Sequence, residues 1–217
     1  MLLRLRVALP DRPGALGRIT HVLGTAGADI TQVTVLERGA GRALDDLTIF
    51  CPDGVSKEAL AKSLAGVPGV TVEGFWTTRE APGTYPELEI LKYIATAGDR
   101  GLSTLIDSMP VLFSADWAAA ASDGDPRIPV YSSWRAPREV PMLDLTPPRP
   151  LAASLESGLH VIAAPLPPLA LVLMLARSEG PAFHRIEVHR LTRILEIFLS
   201  LPSTERSVAR QLRRSDG

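Results

Sequence analysis

Leu3, Leu5, Val7 and Leu9 are apolar and Arg4 and Arg6 stand between them, the period-two pattern of a strand with one buried face. Leu16, Ile19, Leu23 and Ala26 then fall at helical spacing. The pattern returns to strand at residues 29–37, rich in Thr and Val, and again at 43–51, where Leu47, Ile49 and Cys51 share a face. Gly39 and Gly41 mark the turn between these two, so a hairpin is expected. Asp45 and Asp46, at the entry to the third strand, read as solvated, since neither has a histidine or a second acid nearby to make a paired site. Ser56 is placed to cap a second helix that turns Leu60, Ala61 and Leu64 inward; Pro68-Gly69 stops it and residues 70–76 form a fourth strand. The order strand, helix, strand, strand, helix, strand predicts four antiparallel strands with both helices on one face.

Residues 78–86 hold Pro82, Gly83 and Pro86 among polar positions and read as a linker. Helical spacing resumes with Leu88, Leu91, Ile94 and Ala95, breaks at residues 98–101, and continues through Leu102, Leu105 and Ile106 in a short helix that should end before Pro110. Val111, Phe113, Ala115, Trp117 and Ala119 alternate as a strand, residues 123–126 turn the chain, and Ile128 and Val130 return beside it. Five prolines make residues 135–150 loop or extended chain. Leu151 and Leu155 suggest a short helical piece closing at Gly158. The run 159–176 approaches a membrane span in length, but Pro165, Pro167 and Pro168 divide it into two strands of a buried hairpin. A long helix with Phe183, Ile186, Leu191, Ile194, Leu195 and Phe198 on one face follows, then a basic tail at 202–217 that reads as a frayed terminus.

With 217 residues, 46% of them hydrophobic, the chain suffices for two small globular domains. The net charge of -1 gives no reason to expect nucleic acid as a partner. A lone cysteine, Cys51, fits a reducing interior, and Arg4 and Arg6 split the first apolar run so that it does not read as a secretion signal; the expectation is a cytoplasmic protein without a membrane segment. No phosphate loop, nucleophile elbow, zinc-protease or dinucleotide fingerprint occurs. His184 and His189 diverge on the last helix and read as solvated positions rather than metal ligands, and no cofactor is expected.

The chemistry that stands out is the turn Leu9-Pro10-Asp11-Arg12-Pro13-Gly14-Ala15-Leu16 between the first strand and the first helix. Pro13 is tolerable in a first helical turn, Gly14 lets a ligand approach the backbone, and a helix N-terminus favours a carboxylate. Asp11 supplies the opposite charge, so the turn suits a zwitterion. The plainer alternative has Asp11 as a helix cap and Pro13-Gly14 as turn chemistry alone.

The segment DRPGAL after a strand, followed by GADI at 27–30 opening the next, resembles the ACT domain, a small module that binds amino acids in regulated metabolic enzymes. The resemblance implies an α+β, ferredoxin-like βαββαβ domain at residues 1–77 that pairs as a homodimer and binds its ligand where two modules meet. It implies that Asp11, Pro13, Gly14, Ala15 and Leu16 line the site, with Asp29 and Ile30 at the start of the second strand. Asp29 stands where the family usually has Asn; an acid can receive an ammonium but cannot donate to a carboxylate. Residues 87–201, with helices at both ends of an antiparallel sheet and Gly180-Pro181-Ala182-Phe183 after the last hairpin, are similar to a GAF domain. That resemblance implies packing of the first and last helices, a lid at 135–150 and a pocket lined by Trp117, Tyr131 and Trp134. The family's cyclic-nucleotide residues are absent, and no cysteine is placed to hold a bilin. The whole reads as a non-enzymatic sensor of a small amino acid. A protein-docking scaffold, or an enzyme whose site lies under residues 135–150, are the competing classes.

Overall fold

A computed structural model describes residues 1–78, 85–124, 127–202 and 204. The chain divides into two units, Met1–Gly83 with Glu179–Pro181, and Thr84–Ser178 with Ala182–Gly217.

The first unit contains β1 (Leu2–Pro10), α1 (Ala15–Thr25), β2 (Asp29–Gly39), β3 (Arg42–Phe50), α2 (Lys57–Ala65) and β4 (Thr71–Thr77). Its strands form one antiparallel sheet in the order β2-β3-β1-β4. Leu3, Leu5, Val7 and Leu9 of β1 join Leu47 and Ile49 of β3 in a core with Ile19 and Leu23 of α1 and Leu60 and Leu64 of α2. Both helices therefore cover one face, as the apolar spacing requires. Ser56 caps α2, its Oγ accepting from the Ala59 amide at 3.3 Å.

The opposite face departs from the sequence expectation. Arg6 and Asp46 are each only 2% exposed, and they sit directly across β1 and β3 from one another. Arg6 Nε donates to Asp46 Oδ1 at 2.7 Å and Nη2 to Oδ2 at 2.9 Å, with the guanidinium 5.6 Å from the centre of the Trp76 ring. Asp45, on the helix-covered face opposite Val7, is buried too. Neither aspartate is solvated. Alternation identifies which residues share a face, but it does not distinguish a wet polar face from one closed by a paired charge.

The second unit contains α3 (Pro86–Thr96), a 3-10 turn at 98–100, α4 (Gly101–Phe113), β5 (Trp117–Ser122), β6 (Pro129–Ser132), β7 (Leu151–Ser154), β8 (His160–Leu166), a second 3-10 turn at 167–169, β9 (Leu171–Arg177) and α5 (Arg185–Ser200). The antiparallel sheet runs β6-β5-β9-β8-β7. One face carries Ala118, Ala120, Ile162, Leu173 and Leu175 against α3, α4 and α5. The other carries Trp117, Ala119, Ala121, Ala163, Met174 and Ala176 beneath Val140, Leu143 and Leu145 of the proline-rich segment. The run at 159–176 is the expected hairpin, and no described helix is long and apolar enough to cross a membrane.

Three local expectations are corrected. The helix expected to stop before Pro110 runs through it to Phe113, so residues 111–113 are helix and the strand begins at Trp117. An internal proline costs about 3 kcal/mol, whereas Leu112 and Phe113, beyond it, each regain about 1.5–3 kcal/mol by burial on the helix side. Leu151–Ser154 is a strand, not a helical piece, because it completes a sheet edge against β8. His184 is no solvated helix residue but the cap of α5: its Nδ1 accepts from the Ile186 amide at 3.3 Å while Glu187 Oε2 accepts from the His184 amide at 2.8 Å. Most of the expected linker (79–84), part of the turn at 123–126 and the basic tail beyond 204 lie outside the described residues.

Candidate functional site

The turn joining β1 to α1 is held by its own backbone. The Asp11 amide donates to Gly41 O at 2.9 Å, Arg12 N to Pro10 O at 2.9 Å, and Ala15 N to Arg12 O at 3.2 Å. Gly14 occupies the cap position with φ of 81°, a left-handed conformation that glycine adopts without the Cβ penalty, and a Cβ there would meet nothing within 4 Å. The helix begins at Ala15, so Pro13 precedes it instead of sitting in its first turn, and Asp11 is not its cap. Arg18 N, bonded to Gly14 O, is the first amide to enter the helical ladder. Helix geometry thus leaves the Leu16 and Gly17 amides without intrahelical acceptors, while that of Ala15 is committed to the turn.

Asp11 is engaged by Arg38 of β2, whose Nη2 lies 2.7 Å from Oδ1 and whose Nε lies 3.1 Å from both oxygens. The bond to Asp11 holds the Arg38 guanidinium pKa above its ordinary value. Nothing local in the sequence marks Arg38, because the β2–β3 hairpin alone brings it back to the turn. Asp45 lies opposite Val35 and Val7, and its Oδ1 has no hydrogen-bond partner among the described residues. Burial, then the neighbouring Asp11 and Asp46 charges, push its carboxyl above the usual range.

Asp29 and Ile30 stand at the far end of the sheet, opposite Phe50 and Ile49. The register runs from Leu2↔Phe50 to Pro10↔Arg42, so about 27 Å of strand at roughly 3.4 Å per residue separates Asp29 from the turn. One chain does not bring Asp11 and Asp29 together. Beside the turn an open groove of about 490 Å³ runs between α1 and α2, lined by Gly14, Gly17, Arg18, His21, Ser63 and Pro68 among others.

The three aromatics expected to line a pocket in the second unit do not converge. Trp117 is buried under the proline-rich segment. Tyr131 packs on the opposite core, where its hydroxyl donates to Asp107 Oδ2 at 2.7 Å, and burial followed by that bond pushes the phenol up to about 12. Trp134 is 88% exposed. Strand pairing explains the split: Ala120 faces Tyr131, one residue out of step with the face that Trp117 and Ala119 share. Among the described residues no group of three His, Cys, Asp or Glu could hold a metal ion.

The model of the ACT domain family matches residues 3–69, and this part of the chain is an ACT domain. Comparison with curated proteins yields no match. Among solved structures, the chain is similar to a formyltetrahydrofolate deformylase from Pseudomonas putida KT2440, 18% identical with a TM-score of 0.31, over 45% of this chain and 39% of that one. It is also similar to an unknown protein from Galdieria sulphuraria, 9% identical with a TM-score of 0.32, over 91% and 90% of the two chains. The chain spans about two fifths of the length of the deformylase.

Proposed function

We propose that this protein is a non-enzymatic sensor whose ACT domain binds a small amino acid between two copies of the chain. The observation that carries the reading is the β1–α1 turn of the ACT domain. It leaves the first-turn amides of α1 and the open backbone at Gly14 a few residues along the chain from Asp11, whose carboxylate Arg38 engages. The amides suit an α-carboxylate and Asp11 an α-ammonium. The separation of Asp11 from Asp29 supports a two-copy site. β2 is a sheet edge with Val33 and Val35 exposed, and antiparallel pairing of two β2 strands would carry Asp29 of one copy to the turn of the other.

A GAF-like second domain then reports the bound state; helices before and after its antiparallel sheet, joined by the Arg190–Glu87 ion pair between α5 and α3, support that likeness. The ligand acts by favouring one arrangement of the dimer. The buried free thiol of Cys51 supports a cytoplasmic setting.

The test is thermal unfolding of the purified protein against each of the twenty amino acids, with the Asp11→Ala variant alongside. A ligand of the folded state raises the midpoint by mass action. The Asp11–Arg38 pair is exposed to solvent and contributes little to stability, so the variant remains folded and its binding can be read. A shift with one amino acid that disappears in Asp11→Ala is expected. Absence of any shift at millimolar concentrations rejects the reading in favour of a docking scaffold.

A further inference from the structure

The second unit buries a charge that nothing among its described residues neutralises. Arg127, just before β6, is 7% exposed, and its position is pinned by a backbone exchange in which Ser122 N donates to Ile128 O at 2.9 Å and Ile128 N to Ser122 Oγ at 3.0 Å. Its Nη2 donates to the carbonyl of Leu143 at 2.9 Å. Nε and Nη1 are fully enclosed and have no hydrogen-bond partner among the described residues, and no described carboxylate lies within ion-pair distance. Leu143 belongs to the proline-rich segment lying over the alanine-rich sheet face, so the guanidinium sits at the margin of that covered face.

Asp45 is also buried with an unpartnered oxygen, but a carboxyl can lose its charge by taking a proton. A guanidinium cannot be neutralised this way, because it stays protonated at any pH a folded protein meets. A desolvated cation with three N–H groups unmet among the described residues therefore calls for an anion that those residues do not supply. The unmet donors lie on a planar fork, and a planar fork pairs best with an oxyanion that accepts two parallel bonds.

We propose that Arg127 anchors a binding site for a small oxyanion, the carboxylate of an organic acid or a phosphate, at the edge of the sheet face covered by residues 136–145. Leu143 O holds one side of the fork, and binding must displace the atoms that now enclose Nε and Nη1 for the ligand to take their N–H groups. The site is separate from the amino-acid site of the ACT domain and does not depend on it.

Thermal unfolding and calorimetric titration of the full-length protein at constant ionic strength, with inorganic phosphate, acetate, butyrate and malonate as probes, test the assignment. At least one probe should bind saturably and raise the unfolding midpoint. Response to phosphate alone assigns a phosphoryl ligand; response to a carboxylate alone assigns an organic acid. Arg127→Lys, which keeps the charge but loses the fork, should weaken binding on the order of tenfold. Arg127→Met should abolish it and, without ligand, unfold no earlier than the parent, since it removes an unpaired buried charge. The assignment is overturned if no probe binds the parent, if Arg127→Met binds as well as the parent, or if unliganded Arg127→Met is clearly less stable while Arg127→Lys binds normally.

Discussion

Arg6 of β1 and Asp46 of β3 form a two-point ion pair across directly opposed strand positions, with each side chain 2% exposed. Such a pair is strongly coupled: removing Asp46 leaves the Arg6 guanidinium buried without this carboxylate, while removing Arg6 leaves Asp46 with Arg4, whose Nε lies 3.3 Å from Oδ2. Asp46→Leu is expected to cost about 3–5 kcal/mol and Arg6→Met less, because Arg4 still faces the carboxylate, and the double variant to recover part of the Asp46→Leu loss. Urea denaturation of the four proteins in the cycle measures it. Equal and additive losses would show that the two residues do not act as a pair.

Asp45 should make stability fall as pH rises. Its folded carboxyl pKa lies above the ordinary value of 3.8, chiefly through burial, so the folded state holds this proton more tightly than the unfolded one. Between the unfolded and the raised folded values the native chain binds more protons, and stability decreases with increasing pH, levelling off above the folded value. Asp45→Asn imitates the neutral form. It is expected to stabilise the protein at neutral pH, with the gain shrinking as pH falls through that window and gone below 3.8. Denaturant midpoints for both proteins across a pH series read this directly; a gain that is constant with pH contradicts the assignment.

At the start of α5, two neighbouring residues carry different loads. His184→Ala removes a cap and should cost about 1 kcal/mol. Glu187 completes that cap and also receives both terminal nitrogens of Arg177, at 3.0 and 3.2 Å; Arg177 is 1% exposed and lies over Phe183. Glu187→Ala therefore removes a two-point carboxylate partner from a buried guanidinium and should cost about 3–5 kcal/mol, well beyond the cap alone. Chemical denaturation separates the two variants, and equal losses would mean that Glu187 acts only as a cap.

The distance between Asp11 and Asp29 in one chain makes a complementation experiment decisive for the two-copy site. Asp11→Ala and Asp29→Ala each damage every site in their own homodimer. A mixed dimer contains one doubly damaged site and one built from the intact Asp11 of one copy and the intact Asp29 of the other. Co-expressed variants carrying different tags, purified through both, should bind the amino acid found in the unfolding screen at one site per dimer with the parent's affinity. Failure to regain binding would place the whole site within a single chain.

Several elements were legible in the sequence because they are local. Alternation of Leu3, Leu5, Val7 and Leu9, helical spacing from Leu16 to Leu23 and the cap at Ser56 each depend on residues a few positions apart, and each element forms as read. Where reading failed, distant groups decided the outcome. The helix continues past Pro110 because two large side chains beyond the proline, Leu112 and Phe113, find a core to enter. Residues 151–154 are too few to show a period, and they became a strand only because β8 offered an edge.

The sequence by itself determined the ACT domain: the order of its elements and the turn at residues 11–14, both products of short-range sterics and apolar periodicity. Only the tertiary structure decided which charges are paired and which are stranded. Arg38 reaches Asp11, Arg6 closes on Asp46, Asp29 is carried to the far end of the sheet, and Arg127 is enclosed with no counter-charge among the described residues. Burial and strand register are properties of the assembled fold, and the energy of a charge depends on its surroundings far more than on its neighbours along the chain.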